Sequence, residues 1–234
     1  MQSDHSSTQY SQDLETIRSK VLLMGGMVES QFYDAMACFR SGDTELASKV
    51  IDTDRNVNQL EIALDEACSN LIVKRQPAAI DLRTIMATIK VITNLERIGD
   101  EARKIARVSK QVHERNVGSI GHFEIVRLIA HNAAEMLHDS LDAFARLDEK
   151  QAARVITQDD AIDYGFEAIM RSLITFMMED PRTISTALDT LWVAKAIERI
   201  GDHATNIAEY VIYVVGGKDI RHSQYAKTDP NTTI

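Results

Sequence analysis

The chain is poor in whatever interrupts or cross-links a fold. Three prolines and 10 glycines in 234 residues leave few places for a helix to break. With Ala, Leu, Ile, Met and Glu abundant, that scarcity favours long helices. Only two cysteines occur, Cys38 and Cys68, without C-x-x-C spacing. They read as small buried hydrophobes in a reducing compartment, not as a disulfide or a thiolate site. Aromatic residues make up 6% of the chain, with a single Trp. Positive charge is in deficit, 26 Lys and Arg against 35 Asp and Glu, for a net charge of −9. The phosphates of nucleic acid demand a basic footprint that this composition lacks. No apolar run approaches the roughly 18 residues of a membrane span, and no basic region leads into an apolar segment at the start. A cytoplasmic protein is expected, with membrane contact no more than peripheral. No Gly-rich phosphate loop and no nucleophile–base constellation stands out, so an enzyme is not expected.

Apolar residues recur every three or four positions almost without interruption, the signature of amphipathic helices. The breaks are few. "SGDTE" at 41–45 reads as a stop and a start, "RLDEK" at 146–150 as a tight turn, and Pro77 and Pro181 as helix openings. This predicts an all-α fold of six long helices, near 10–41, 44–75, 78–115, 121–147, 149–179 and 182–215. Short joints make neighbours antiparallel. The softest stretch, "NVGSIGH" at 116–122, is the expected domain boundary. Two three-helix bundles are therefore predicted, at 10–117 and 118–217, between mobile tails at 1–9 and 218–234.

The two bundles are copies. "LERIGDEARKIA" at 95–106 recurs 102 positions later as "IERIGDHATNIA", with eight of twelve residues identical. "DAMACFRSGDTELASKVI" at 34–51 matches "DSLDAFARLDEKQAARVI" at 139–156, at a spacing of 105. A period of about 100 residues is too long for a solenoid unit. At 100° per residue, Leu95, Ile98, Ala102 and Ile105 share one helix face, as do Ile197, Ile200, Ala204 and Ile207. Gly99 and Gly201 lie mid-helix, where Gly costs about 0.5–1 kcal/mol relative to Ala. Their recurrence implies that something approaches the backbone closely there.

Turned away from the apolar stripe, Glu96 and Asp100 stack at i and i+4, and Glu198 and Asp202 repeat the pair. Adjacent helices offer further stripes: Asp54, Asn58, Glu61 and Asp65 on the second, Asp159, Asp163 and Glu167 on the fifth. Such stripes are either solvated faces, with Arg97, Arg103, Lys104 and Arg199 as surface ion-pair partners of small worth, or oxygen-ligand sites for hard or borderline cations. Elsewhere, His131, Glu135, His138 and Asp142 form one stripe, better read as a polar or inter-bundle face than as half of a di-iron site. Gly25 and Gly26 suggest a kink or a close helix approach. Trp192, Met24, Met27, Met170, Met177 and Met178 read as core and interface filler.

The doubled motif, with "LLMGGMVE", "NLIVKRQPAAIDLR" and "HDSLDAFARLD", closely resembles the PhoU family of bacterial phosphate-transport accessory proteins, over about residues 10 to 217. The resemblance implies multinuclear iron or zinc clusters on Glu96 and Asp100, on Glu198 and Asp202, on Asp159 and Asp163, and on Asp54 with Asn58. Asn58 departs from the acidic pattern and predicts two unequal sites. The resemblance further implies a negative regulator of the phosphate-starvation response. Such proteins link the phosphate-import ABC transporter, through its ATPase, to a membrane sensor histidine kinase, and are commonly homodimers. Two other readings are a carboxylate-bridged di-metal bundle enzyme, an oxidase or phosphatase, and a purely structural scaffold with empty acidic faces.

Overall fold

The computed structural model describes residues 2–75, 77–114, 123–217 and 219. Six long helices follow one another: α1 Gln2–Ser41, α2 Thr44–Arg75, α3 Ala79–Glu114, α4 Phe123–Arg146, α5 Glu149–Glu179 and α6 Ile184–Gly216. A 3-10 turn, Pro181–Thr183, leads into α6. Boundaries fall within two residues of the expected ones, except at the start. There α1 begins at Gln2, where the sequence predicts an aperiodic tail; a polar stretch without Pro or Gly can prolong a helix already formed. The expected boundary at 116–122 and the expected tail from 218 lie outside the described residues, apart from Asp219.

Helices α1, α2 and α3 pack on one another, as do α4, α5 and α6. This is the predicted pair of three-helix bundles. Each bundle turns its apolar stripe inward: Leu95, Ile98, Ala102 and Ile105 are fully buried in the first, Ile197, Ile200, Ala204 and Ile207 in the second. Burial of such a stripe, at about 25 cal/mol per Å² of apolar area, is the main force holding each bundle. Cys38 and Cys68 are free and buried among these side chains, and burial pushes both thiols up to about 11. Neither is a reactive thiolate.

The bundles meet along two seams. Helices α3 and α6 pack against each other. They run antiparallel, because Asn94 Oδ1 accepts from His203 Nδ1 (2.9 Å) and Asn206 Nδ2 (3.2 Å) while Glu101 meets Arg199 further along (3.2 Å). Helices α1 and α4 form the second seam, where Leu141 fills the space over Gly25 and His138 Nδ1 lies 3.0 Å from Glu29 Oε1. The His138 stripe is thus an inter-bundle face, as expected, with His131 paired to Glu135 at the surface. Trp192 and Met178 depart from expectation. They are 67% and 79% exposed, because their positions on α6 and α5 face outward, where helical spacing alone cannot distinguish core from surface.

The duplication reaches into backbone detail. Gly42 closes α1 with φ 71°, and its equivalent, Leu147, closes α4 with φ 52°. Each is followed by an aspartate whose carboxylate caps the next helix: Asp43 Oδ1 accepts from Glu45 N and Leu46 N, and Asp148 Oδ1 from Lys150 N and Gln151 N, all within 3.0 Å. A left-handed conformation costs a side-chain-bearing residue about 1–2 kcal/mol, and glycine nothing comparable. Leu147→Gly is therefore expected to raise stability by up to about 1 kcal/mol. Gly42→Ala should lower it by about 1–2 kcal/mol; its new Cβ would also lie 2.6 Å from His113 Nδ1. Urea unfolding of the two variants measures both.

Candidate metal centre

In the second bundle, Glu198 and Asp202 stand one turn apart on α6, and Asp159 and Asp163 one turn apart on α5. The two helices come close because Gly201 has no side chain. A Cβ there would lie 2.8 Å from Ile162 Cδ1 and 3.9 Å from Asp159 Oδ1. The close approach inferred from the paired glycines is thus real in this bundle, and in the first, where a Cβ on Gly99 would lie 3.2 Å from Gln31 Oε1.

Asp163, Glu198 and Asp202 each bring one carboxylate oxygen within 4.8 Å of the other two. Among the described residues this is the one group of three or more His, Cys, Asp or Glu side chains so arranged. Asp159 lies beside it, its Oδ1 accepting from Thr205 Oγ1 at 3.2 Å. Lys195 donates to Glu198 Oε1 at 2.6 Å, while its Nζ lies 5.2 Å from the centre of the Phe166 ring. The other oxygen, Glu198 Oε2, is buried and has no hydrogen-bond partner. A buried carboxylate oxygen without a partner is costly and suits coordination of a cation. Asp202 records the same imbalance. Its side chain is exposed by area, yet crowding against the bundle, then the negative charges of Glu198, Asp159 and Asp163, push its carboxyl up to about 6 against the pull of Lys195. An all-oxygen set of this kind suits a hard or borderline cation.

The first bundle places its predicted residues on facing helices as well. Asp54 and Asn58 lie on α2, Glu96 and Asp100 on α3. The space between Asp54 and Asp100 is already filled by a charge. Arg103 Nη1 is 3.0 Å from Asp54 Oδ2, and its Nη2 donates to Asp100 Oδ1. Asp54 is 1% exposed and also accepts from Gln31 Nε2 at 3.4 Å. Burial raises the Asp54 carboxyl, with Arg103 opposing. Glu96 is raised by burial and by the neighbouring Asp100. Asn58 Oδ1 is buried without a partner. The second bundle's residues fit a cation, and the first bundle's, with Arg103 in place, do not. Sequence reasoning set Arg103 among the surface charges. The signal that distinguishes it is the mismatch with Thr205 at the equivalent position of the second copy.

The fold and the site together define a duplicated all-helical protein with a carboxylate cluster on its second bundle. The PhoU domain family matches this chain twice, at residues 21–109 and 126–211, once in each bundle. The chain is 46% identical over 222 residues to the phosphate-specific transport system accessory protein PhoU of Escherichia coli, covering 93% of this chain and 90% of that one. The crystal structure of PhoU from Pseudomonas aeruginosa superposes with a TM-score of 0.86 at 44% identity, covering 89% of this chain and all of the other. The phosphate transport system regulatory protein PhoU from Streptococcus pneumoniae superposes with a TM-score of 0.82 at 26% identity, covering 90% and 98%. The chain belongs to the PhoU family, a family of accessory and regulatory proteins, not of enzymes.

The raised Asp202 carboxyl fixes a sign. Its folded-state pKa of about 6 exceeds the ordinary 3.8, so the folded protein holds the proton more tightly than the unfolded chain. Stability of the ion-free protein falls as pH rises from about 4 to 6 and stays low above. Asp202→Asn removes that loss. It is expected to raise the melting temperature of ion-free protein at pH 8, by about 2–4 °C per kcal/mol relieved, with the gain vanishing near pH 4. Calorimetry in chelator across this range measures it.

Proposed function

We propose that this chain is a negative regulator of the phosphate-starvation response. It acts as an adaptor between the phosphate-import ABC transporter, contacted at its ATPase subunit, and a membrane sensor histidine kinase. The observation that carries the proposal is the 46% identity over 93% of the chain to a phosphate-specific transport system accessory protein. The fold supports an adaptor: its exposed faces are broad, and its effect requires binding alone. On α6 the row Ile184, Leu188 and Trp192, at i, i+4 and i+8, is left in solvent beside Lys195 and Arg199. Exposed apolar rows of this kind mark contact surfaces. No helix among the described residues is long and apolar enough to cross a membrane. The proposed location is cytoplasmic, with membrane attachment through partners, and the proposed working form is a homodimer.

The proposed cofactor is a divalent or ferric ion, iron or zinc, held by Asp163, Glu198 and Asp202 with Asp159 alongside. When bound, it supplies positive charge that neutralises the cluster. The residues themselves would hold it: Glu198 Oε2 lacks any other partner, and Asp202, ionised above about pH 6, would be kept in that state. Because that proton competes, ion affinity should fall as pH drops below about 6.

Expression of this chain in an Escherichia coli strain lacking its own PhoU tests the role. Phosphate-rich medium should again silence a phosphate-starvation reporter. Glu198→Ala with Asp202→Ala should weaken that silencing while helicity is kept. Unrestrained reporter output with the wild-type chain present at normal levels would overturn the proposal. Full silencing by the double variant would leave the cluster without a signalling role.

A further inference from the structure

The two copies differ at two positions of the acidic site, Asn58 against Asp163 and Arg103 against Thr205, and the second of these changes the charge held there. Aligning α3 with α6 at 102 residues pairs Asp100 with Asp202 and Arg103 with Thr205; aligning α2 with α5 at 105 pairs Asp54 with Asp159 and Asn58 with Asp163. The position shared by Arg103 and Thr205 does the same local task in both bundles, donating across to the second helix. Thr205 Oγ1 reaches Asp159 Oδ1 at 3.2 Å, and Arg103 Nη1 reaches Asp54 Oδ2 at 3.0 Å. The threonine brings a neutral dipole. The arginine brings a full charge and a second donor, which holds Asp100 on its own helix.

A guanidinium is planar, delocalised and permanently charged, and its fork suits a bridge between two carboxylates. Here it is sheltered: the Arg103 side chain is 24% exposed and that of Asp54 only 2%. Arg107 adds positive potential at Asp54. An ion entering between Asp54 and Asp100 would have to displace Arg103 and meet its repulsion. Lys195 differs in kind. It holds one oxygen of one carboxylate, on a flexible stem 41% exposed, and leaves Glu198 Oε2 bare. It can swing away when an ion arrives.

We propose that Arg103 is a built-in counter-ion of the first bundle, occupying the place of a metal ion, so that metal loading in this chain is confined to the second bundle. Arg103 is thereby a specificity-determining residue: it decides which copy of the duplicated acidic site is open. Its removal takes the shared guanidinium from Asp54 and Asp100 while Glu96 keeps only the largely exposed Arg97 at 3.4 Å, and Asn58 Oδ1, buried and without a partner, becomes available as a further oxygen ligand. This inference rests on the proposed second-bundle site only for the contrast between the copies.

The test uses the full-length chain, Mn²⁺ as probe, equilibrium dialysis with elemental analysis at pH 7.5, and circular dichroism to check helicity. Glu198→Gln with Asp202→Asn should cut bound Mn²⁺ at least tenfold. Adding Arg103→Thr to that pair should restore Mn²⁺ binding, and adding Asp54→Asn to that triple variant should abolish it again. Arg103→Lys, which keeps the charge, should restore none. Should Arg103→Thr lose helicity, Arg103→Gln, which keeps length without charge, replaces it. Two results overturn the inference: Mn²⁺ retained by the Glu198→Gln, Asp202→Asn protein and lost on Asp54→Asn, or no gain from a folded Arg103→Thr or Arg103→Gln variant. Absence of Mn²⁺ from the wild-type chain would overturn the second-bundle site instead, and the gain on removing Arg103 would still decide the role of Arg103.

Discussion

Carboxylates stacked one turn apart on a helix, facing a second such stack across a helix pair, need positive charge to remain ionised beside an apolar bundle. That requirement governs both halves of this molecule. It explains why Arg103 bridges two helices in the first bundle. In the second it explains why Asp202 holds its proton to about pH 6 and why Glu198 retains a buried, unpartnered oxygen despite Lys195. Surface ion pairs are usually worth little. The sheltered bridge at Asp54 differs because removing its cation would leave a buried charge without compensation.

The stacks can face each other only because the backbone lets them. Each bundle omits a side chain at the crossing, Gly99 in one and Gly201 in the other, and fills the space from the neighbouring helices with Gln31 and Ile162. The same two helices, α3 and α6, also form the principal seam between the bundles. One helix face builds the core, another carries the carboxylates, and a third carries Glu101 or His203 into the seam. Glu101 is nearly fully buried there, held by Lys104 at 2.8 Å and by Arg199 from the other bundle. Burial lowers the pKa of His203 at the equivalent position, which favours a neutral ring hydrogen-bonded to Asn94. A long amphipathic helix can serve three neighbours because its period distributes residues over all sides.

Much of this was legible in the sequence. Helical period and the scarcity of breakers gave six helices. The recurrence of "ERIGD" gave two bundles, and the i, i+4 spacing placed Asp159, Asp163, Glu198 and Asp202 on facing stripes. What was not legible depends on contacts between helices. Spacing along α3 shows that Arg103 can reach Asp100, but not that it also reaches Asp54 from another helix. Trp192 fits a periodic core pattern and a periodic surface pattern equally, and only the packing of α6 decides between them. Leu147 in a left-handed turn carries no local sign at all; its glycine counterpart in the other copy is the sole hint.

Duplication normally yields two equivalent ligand stations, and with them the possibility of cooperative response. A guanidinium attached to the chain is present from synthesis onward, at fixed stoichiometry and whatever the supply of ions. On the proposed reading the molecule pairs a constant half with a variable one, like a balance with one pan permanently weighted, and any partner touching both halves would read occupancy as a difference between them.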